Sequence, residues 1–190
     1  MSDALTTAEL EAQIEVRNNR FKQVIHDIRA VLEEDLPQFV ARETKRAYLA
    51  RTAVSEGLGV ERVRALKQRS AEVGQQVARE ISTALADEAR WHSATEVPAN
   101  TRDLTAAHEV WAVVSQVEAV LQGLLAEFGL ADVEPPRYKA PAYFVKGLYL
   151  PGLTEHYWRL IHEVQELGEQ RRRVEADAVR ERLEAVWDEA

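Results

Sequence analysis

Cysteine is absent from this chain of 190 residues, and so are long apolar runs. Without cysteine there is no disulfide framework, no thiolate zinc site and no cysteine nucleophile. No apolar run approaches the ~18–20 residues that a membrane-spanning helix needs, and the first residues lack the pattern of a secretory signal. We therefore expect a cytoplasmic protein.

The motifs of common enzyme classes are also missing. The sequence holds no glycine-rich phosphate loop, no nucleophile elbow and no kinase signature. The Glu-x-x-His pairs of a ferritin-like di-iron bundle are absent, as is His-Glu-x-x-His. We assign no catalytic residue, no metal ligand and no cofactor. Glu155, His162 and Glu166 share one helix and are either a metal-binding cluster or ordinary surface residues. A metal-binding or enzymatic bundle is therefore the third interpretation of function.

The net charge of −8 is unevenly distributed. Residues 1–92 carry 14 Lys/Arg against 15 Asp/Glu, whereas residues 93–190 carry 10 against 17. A negative molecule repels polyanions at long range, which disfavours non-specific binding to nucleic acid or to an anionic membrane. The stretch from Pro37 to Arg69 is the exception, with eight basic and three acidic residues.

Apolar residues recur at steps of three and four along most of the chain, which predicts long amphipathic helices. The first helix begins at Thr6 or Thr7, because Thr6 and Glu9 have the spacing of a capping box. Pro37 ends or kinks this helix, and Asp35 is available to cap a new one. Short connections favour antiparallel neighbours, so we predict an all-α bundle of about five long helices. After the first helix, the others are expected over about 37–55, 60–91, 104–128 and from 154 onward.

Several glycines interrupt this helical pattern. Gly57 and Gly59 supply a turn, and Gly129 stops the very apolar fourth helix, which we place at the centre of the bundle. Gly74 lies inside the third helix and costs about 1 kcal/mol relative to alanine unless close packing requires it. We predict one domain over residues 1–168 with a non-helical crossover at 129–153, followed by a charged helical extension at 169–190.

Residues 135–158 interrupt the helical pattern with six of the 13 aromatic residues and four of the six prolines. Lys146 and Gly147 are placed to turn a short β-hairpin over residues 143–150. One interpretation is a plug that closes the core, since aromatic residues commonly serve there. The other is a surface for an acidic or aromatic peptide. The residues of this candidate partner or ligand surface are Arg137, Tyr138, Lys139, Tyr143, Phe144, Lys146, Tyr149 and Trp158.

Residues 49–70 have the spacing of a helix-turn-helix, with Ala53, Gly57, Val63 and Leu66 at its key positions. Arginine and glutamine on the second helix suit guanine and adenine edges in a major groove. Any helical hairpin with a glycine turn produces similar spacing, and charge runs are usually solvated faces. The candidate DNA-binding residues are Arg51, Arg62, Arg64, Lys67, Gln68 and Arg69.

The end of the last helix is charged on most faces, with Val179, Leu183, Val186 and Trp187 among its few apolar residues. It is either a solvated helix with internal ion pairs or an inter-chain helical pairing that makes the protein a dimer. The first interpretation of function is thus a non-enzymatic cytoplasmic interaction or scaffold protein that self-associates and uses residues 135–158 as its partner surface. The alternative is a DNA-binding regulator using residues 49–70.

Overall fold

The computed structural model describes residues 5–52, 58–92, 117–133, 138–139 and 141–189. The described chain is an all-α helical bundle with four helices. They are α1 (Thr7–Thr52), α2 (Val60–His92), α3 (residues 117–127) and α4 (Leu150–Glu189). No described helix holds an apolar stretch long enough to cross a membrane.

Of two predictions about the α1 region, the structure confirms the first and contradicts the second. The capping box is confirmed, because the Thr6 amide donates to the Glu9 carboxylate at 2.8 Å and the Glu9 amide donates to the Thr6 hydroxyl at 3.3 Å. The predicted helix end at Pro37 is wrong, whereas a kink there stays a prediction. Pro37 lies inside one continuous helix, so α1 replaces two predicted helices, and about five helices become four in the described chain.

Tertiary packing explains why α1 continues through Pro37. The ring lacks the amide hydrogen that would bond to the Glu33 carbonyl, a loss that costs about 3 kcal/mol or more in a helix interior. The neighbouring turns bury Leu32, Leu36 and Phe39 almost completely, and burying one such side chain stabilises by roughly 1.5–3 kcal/mol. Several buried side chains on both sides of the proline therefore outweigh one lost hydrogen bond.

The structure divides into two compact units, Ile25–Thr154 (the larger unit) and Met1–Val24 with Glu155–Ala190 (the smaller unit). The predicted boundary at residue 168 lies inside α4, which is continuous there, and it stays a prediction. In the larger unit, α1 and α2 are antiparallel. Pro37 meets Gly74, and Arg29 donates to the Ser82 hydroxyl at 2.8 Å, eight residues earlier on α1 and eight later on α2.

Apolar faces of all four helices build the core of the larger unit. On α3 the buried apolar residues lie on one side, while Val120 and Gly123 face out, so the described half of this helix buries a single face. The central position of this helix in the bundle stays a prediction, because residues 104–116 lie outside the described chain. The buried residues are Ile25, Ile28, Val31, Leu32, Leu36, Phe39, Val40, Ala47, Leu66, Val73, Val77, Ala78, Ile81, Leu85, Val117, Leu121, Leu124, Leu125, Phe128, Leu130, Val145 and Leu150.

Gly129 ends α3, as predicted. Its φ is 72°, and its amide donates to the Ala126 carbonyl at 3.0 Å while the Leu130 amide donates to the Leu125 carbonyl at 2.8 Å. This pair of bonds is a Schellman motif, which needs a residue in the left-handed region at this position. Leu130 is then fully buried, so the stop also fixes the direction of the chain that follows.

The predicted β-hairpin at 143–150 is reduced to one isolated antiparallel bridge between Val145 and Leu148. No strand occurs among the residues that the structure describes. Lys146 and Gly147 connect the bridge with φ angles of 51° and 76°, which is a two-residue turn with both residues in the left-handed region. The last helix begins at Leu150, four residues before the predicted start, because Pro151 fits the first helical turn where no amide partner is needed.

In the smaller unit, the first part of α1 packs against α4. Phe21 and Tyr157 have ring centroids 5.0 Å apart, and Arg17 pairs with Glu163 at 3.2 Å. One side of α4 faces α1 here, since Tyr157, Leu160 and Leu167 are buried and Val164 is half-buried.

Candidate partner surface around the aromatic turn

A buried carboxylate ties the aromatic segment to α1. Asp35 is only 3% exposed, and its two oxygens accept hydrogen bonds from Tyr138 at 2.7 Å and from Tyr143 at 2.8 Å. A buried carboxylate is costly unless it is hydrogen-bonded, so each phenol both satisfies Asp35 and is positioned by it. Residues about a hundred positions apart in sequence are thereby joined at one point of the larger unit.

Tyr138 is the inner of the two phenols. Its ring meets Phe39 edge-on, with centroids 5.1 Å apart and an interplanar angle of 82°. Burial and the hydrogen bond to Asp35 raise the pKa of Tyr138 well above its usual range. The phenol therefore stays protonated and keeps donating to the carboxylate.

Tyr143 is the outer phenol, with more than half of its surface exposed. The hydrogen bond to Asp35 raises its pKa, and the nearby Arg42 guanidinium acts in the opposite direction. Arg42 also lies 5.5 Å from the centroid of the Phe39 ring, and its hydrogen bond to Glu43 raises the pKa of the guanidinium. An exposed cation thus stands beside the outer phenol.

The turn itself has one inward and one outward side. Val145 points inward and is buried, and its amide and carbonyl exchange hydrogen bonds of 2.9 Å with Leu148. Lys146, on the turn, reaches the Glu34 carboxylate at 3.5 Å. The turn is therefore attached to α1 by Asp35 and by Glu34.

Two aromatic rings lie on the outward side. Phe144 is 70% exposed and Tyr149 is 41% exposed, with ring centroids 5.4 Å apart. Gly152 leaves room for this pair, because a Cβ there would lie 3.3 Å from the Tyr149 ring. Within this segment, Val145 and Leu150 are buried in the core, whereas Phe144 and Tyr149 face solvent.

The remaining predicted residues are only partly brought together. Lys139 is exposed, and Arg137 lies outside the described residues. Trp158 is half-buried in the smaller unit, where it meets Tyr157 edge-on at 5.6 Å, so we do not count it with the turn.

The sequence interpretation missed Asp35, Glu34 and Arg42 as members of this site. Asp35 was expected to cap a new helix, which is wrong because it lies within α1. A signal was present, since Asp35 stands three residues after Leu32 and four before Phe39, on the apolar face of the helix. An acidic residue on such a face predicts a polar partner from elsewhere in the chain.

The predicted DNA-binding residues are largely engaged with acidic neighbours. Arg51 pairs with Asp132 at 2.7 Å, Arg64 with Glu61 at 2.5 Å, and Arg69 with Glu72 at 3.4 Å. α2 runs on for 33 residues, well beyond a usual recognition helix, and residues 53–57 of the proposed turn lie outside the described chain. Arg62, Lys67 and Gln68 are exposed on the same helix, and the helix-turn-helix stays a prediction.

Metal ligands are not grouped in the described part of the chain. No three His, Asp or Glu side chains there stand close enough to hold an ion, Glu155, His162 and Glu166 included. Comparisons with protein-family models, with curated proteins and with solved structures find no match to this chain. The functional argument therefore rests on the geometry of the site.

Proposed function

We propose that the protein is a non-enzymatic, cytoplasmic helical interaction protein that self-associates and binds a protein or peptide partner through the aromatic turn. The aromatic turn comprises Tyr143, Phe144, Lys146 and Tyr149. The observation that carries the proposal is the exposed Phe144–Tyr149 pair on a turn that is attached to the buried Asp35.

Pre-organisation supports binding at this place. Ordering a flexible loop consumes binding free energy, whereas a turn already fixed to the core avoids most of that loss. Aromatic side chains supply large apolar area with few rotatable bonds, which is why they dominate the energetics of many interfaces. The two outward rings have the properties of anchor residues.

The charges around the rings favour an acidic partner. Arg42, Lys139 and Lys146 are exposed cations on the segment or beside it. Lys146 is paired with Glu34, whereas Arg42 and Arg46 share the single carboxylate of Glu43, so this arginine pair and Lys139 are the main contributors to the preference. An acidic peptide that carries an aromatic or aliphatic side chain fits both the charge and the apolar pair.

Selection from a displayed peptide library on the immobilised protein tests the proposal. We expect acidic peptides with an apolar anchor to be enriched, and their binding to fall at least tenfold in the Phe144→Ala/Tyr149→Ala variant. Val120→Ala, which removes an exposed apolar side chain on α3, is the matched control and should bind as the unmodified protein does. Enrichment of no peptide, or equal binding by the double variant, would refute the partner surface.

A further inference from the structure

The last turns of α4 carry an apolar stripe that faces solvent. We name Val179, Leu183, Val186 and Trp187 the C-terminal stripe. Steps of four and three place Val179, Leu183 and Val186 on one side of the helix, and Trp187 is adjacent to Leu183 on that side. Leu183 is 65% exposed and Trp187 83%, which is the largest exposure of any big apolar side chain in the described chain.

The stripe lies beyond the pairing of α4 with α1. Arg17 meets Glu163, and six residues earlier on α1 Glu11 meets Arg171, eight residues later on α4. Continued at this ratio, Thr7, the first residue of α1, lies level with about residue 176 of α4. The stripe begins after that point, which explains its exposure.

We infer that the C-terminal stripe binds the same stripe of a second copy of this chain, in antiparallel orientation. This rests on the proposed self-association, and names its surface and register. With Leu183 on the two-fold axis, antiparallel pairing places Val179 level with Trp187 of the second copy, and Val186 of that copy lies one residue further from Val179 along the helix. Four apolar side chains are then covered by four identical ones.

Charge complementarity supports this occupant. Arg180 and Glu184 lie on the same flank of the stripe, and in the same register Glu184 of each copy lies two residues, or about 3 Å along the helix, from the point opposite Arg180 of the other, which these long side chains span. The two-fold axis repeats that pair, so two opposite-charge contacts form. By contrast, residues 175–189 hold six acidic and two basic side chains, whereas helices that lie on anionic membranes are rich in Lys and Arg on their polar face.

Measurement of molar mass by sedimentation across a concentration series is the first test. The unmodified protein is expected to be a dimer, and Leu183→Glu to raise the dissociation constant at least tenfold. Leu49→Glu, an equivalent change at an exposed leucine of the larger unit, is the matched control and should stay dimeric. A dimer that persists unchanged in Leu183→Glu would overturn the stripe while leaving self-association intact.

Other results of the same series also decide the question. A monomer at all concentrations would overturn both the stripe and the proposed self-association, whereas the peptide selection at the aromatic turn tests a separate surface. Co-sedimentation with phosphatidylserine vesicles that is lost in Leu183→Glu would assign the stripe to a lipid surface and overturn the inference.

The absence of native cysteine allows a direct test of the register. In the antiparallel pairing, Leu183→Cys places two thiols at the two-fold axis, so oxidation should link two copies covalently. Trp187→Cys places its thiols about eight residues apart along the helix, or roughly 12 Å, which is beyond the reach of a disulfide. Equal cross-linking of both variants would indicate parallel pairing and refute the register, as would failure of Leu183→Cys to link.

Discussion

Gly74 of α2 packs directly against Pro37 of α1. A Cβ placed on Gly74 would lie 2.9 Å from the Cα of Pro37, which is closer than carbon atoms approach without displacement. Because the neighbour is backbone and not a flexible side chain, the two helices would have to separate to make room. The glycine therefore sets how closely α1 and α2 approach.

Gly74→Ala is expected to destabilise the protein by about 1–2 kcal/mol. Overpacking in a tight contact costs about 1–3 kcal/mol, and the better helix propensity of alanine offsets up to about 1 kcal/mol of that. Gly123→Ala is the matched control on α3, since a Cβ there meets nothing within 4 Å. It should stabilise by about 0.5–1 kcal/mol. Urea denaturation of both variants gives the comparison, and a stabilising Gly74→Ala would contradict the close approach.

Pro37→Ala is expected to raise the free energy of unfolding by about 1–2 kcal/mol. Alanine restores an amide that can donate to the Glu33 carbonyl, which removes most of the ~3 kcal/mol disadvantage of proline. The unfolded chain gains conformational freedom at the same time, which lowers the free energy of unfolding by up to about 1 kcal/mol. Alanine keeps a Cβ against Gly74. Thermal and urea unfolding would measure the change, and a destabilised variant would show that the ring itself is needed for packing.

Local signals in the sequence were sufficient for some features of this fold. The capping box at Thr6 and the stop at Gly129 each depend on residues within a few positions, so spacing alone identifies them. The all-α class likewise follows from the repeat of apolar residues. These features are decided by the neighbouring chain.

Other features depend on residues far apart in the sequence, and for these the sequence-based prediction is wrong or absent. Pro37 satisfies the local rule for a helix end, yet burial of the flanking apolar turns outweighs it. From its sequence position alone, Asp35 is expected to cap a helix. In the structure it binds Tyr138 and Tyr143, which lie 103 and 108 residues further along the chain. No local pattern specifies which residue reaches a carboxylate from that distance. For Gly74, the sequence predicts only that a glycine inside the helix is unfavourable unless close packing requires it.

Tyr138→Phe should destabilise the larger unit more than Tyr143→Phe does. A hydrogen bond to a charged group contributes roughly 1.5–3 kcal/mol, and its loss matters most where water cannot take the place of the lost hydroxyl. Tyr138 is the more buried phenol, whereas Tyr143 is more than half exposed. Urea denaturation should therefore show about 1.5–3 kcal/mol for Tyr138→Phe and less than about 1 kcal/mol for Tyr143→Phe.

Tyr149→Phe is the control for this pair. It removes a hydroxyl from the outward side of the turn without touching Asp35, so the change should stay within about 0.5 kcal/mol. Equal effects of Tyr138→Phe and Tyr149→Phe would mean that the phenol–carboxylate contact does not hold the segment to α1.

The same contact predicts loss of stability at alkaline pH. The pKa of Tyr138 is raised in the folded protein, by burial first and then by the hydrogen bond to Asp35. The unfolded chain releases the phenolic proton at about pH 10, so above that pH the folded state holds more protons than the unfolded state. Stability therefore falls as pH rises from the unfolded pKa through the higher folded pKa, and the contribution is fully present below about pH 10.

Comparison with Tyr138→Phe isolates this contribution from other groups that titrate at high pH. The difference in the free energy of unfolding between the unmodified protein and the variant should be constant below about pH 10 and should shrink above it. Phenolate absorbance gives an independent measurement, because Tyr138→Phe should remove the component that titrates at the highest pH in the folded protein. A difference in unfolding free energy that stays unchanged across the alkaline range would show that Tyr138 is not held protonated by its surroundings.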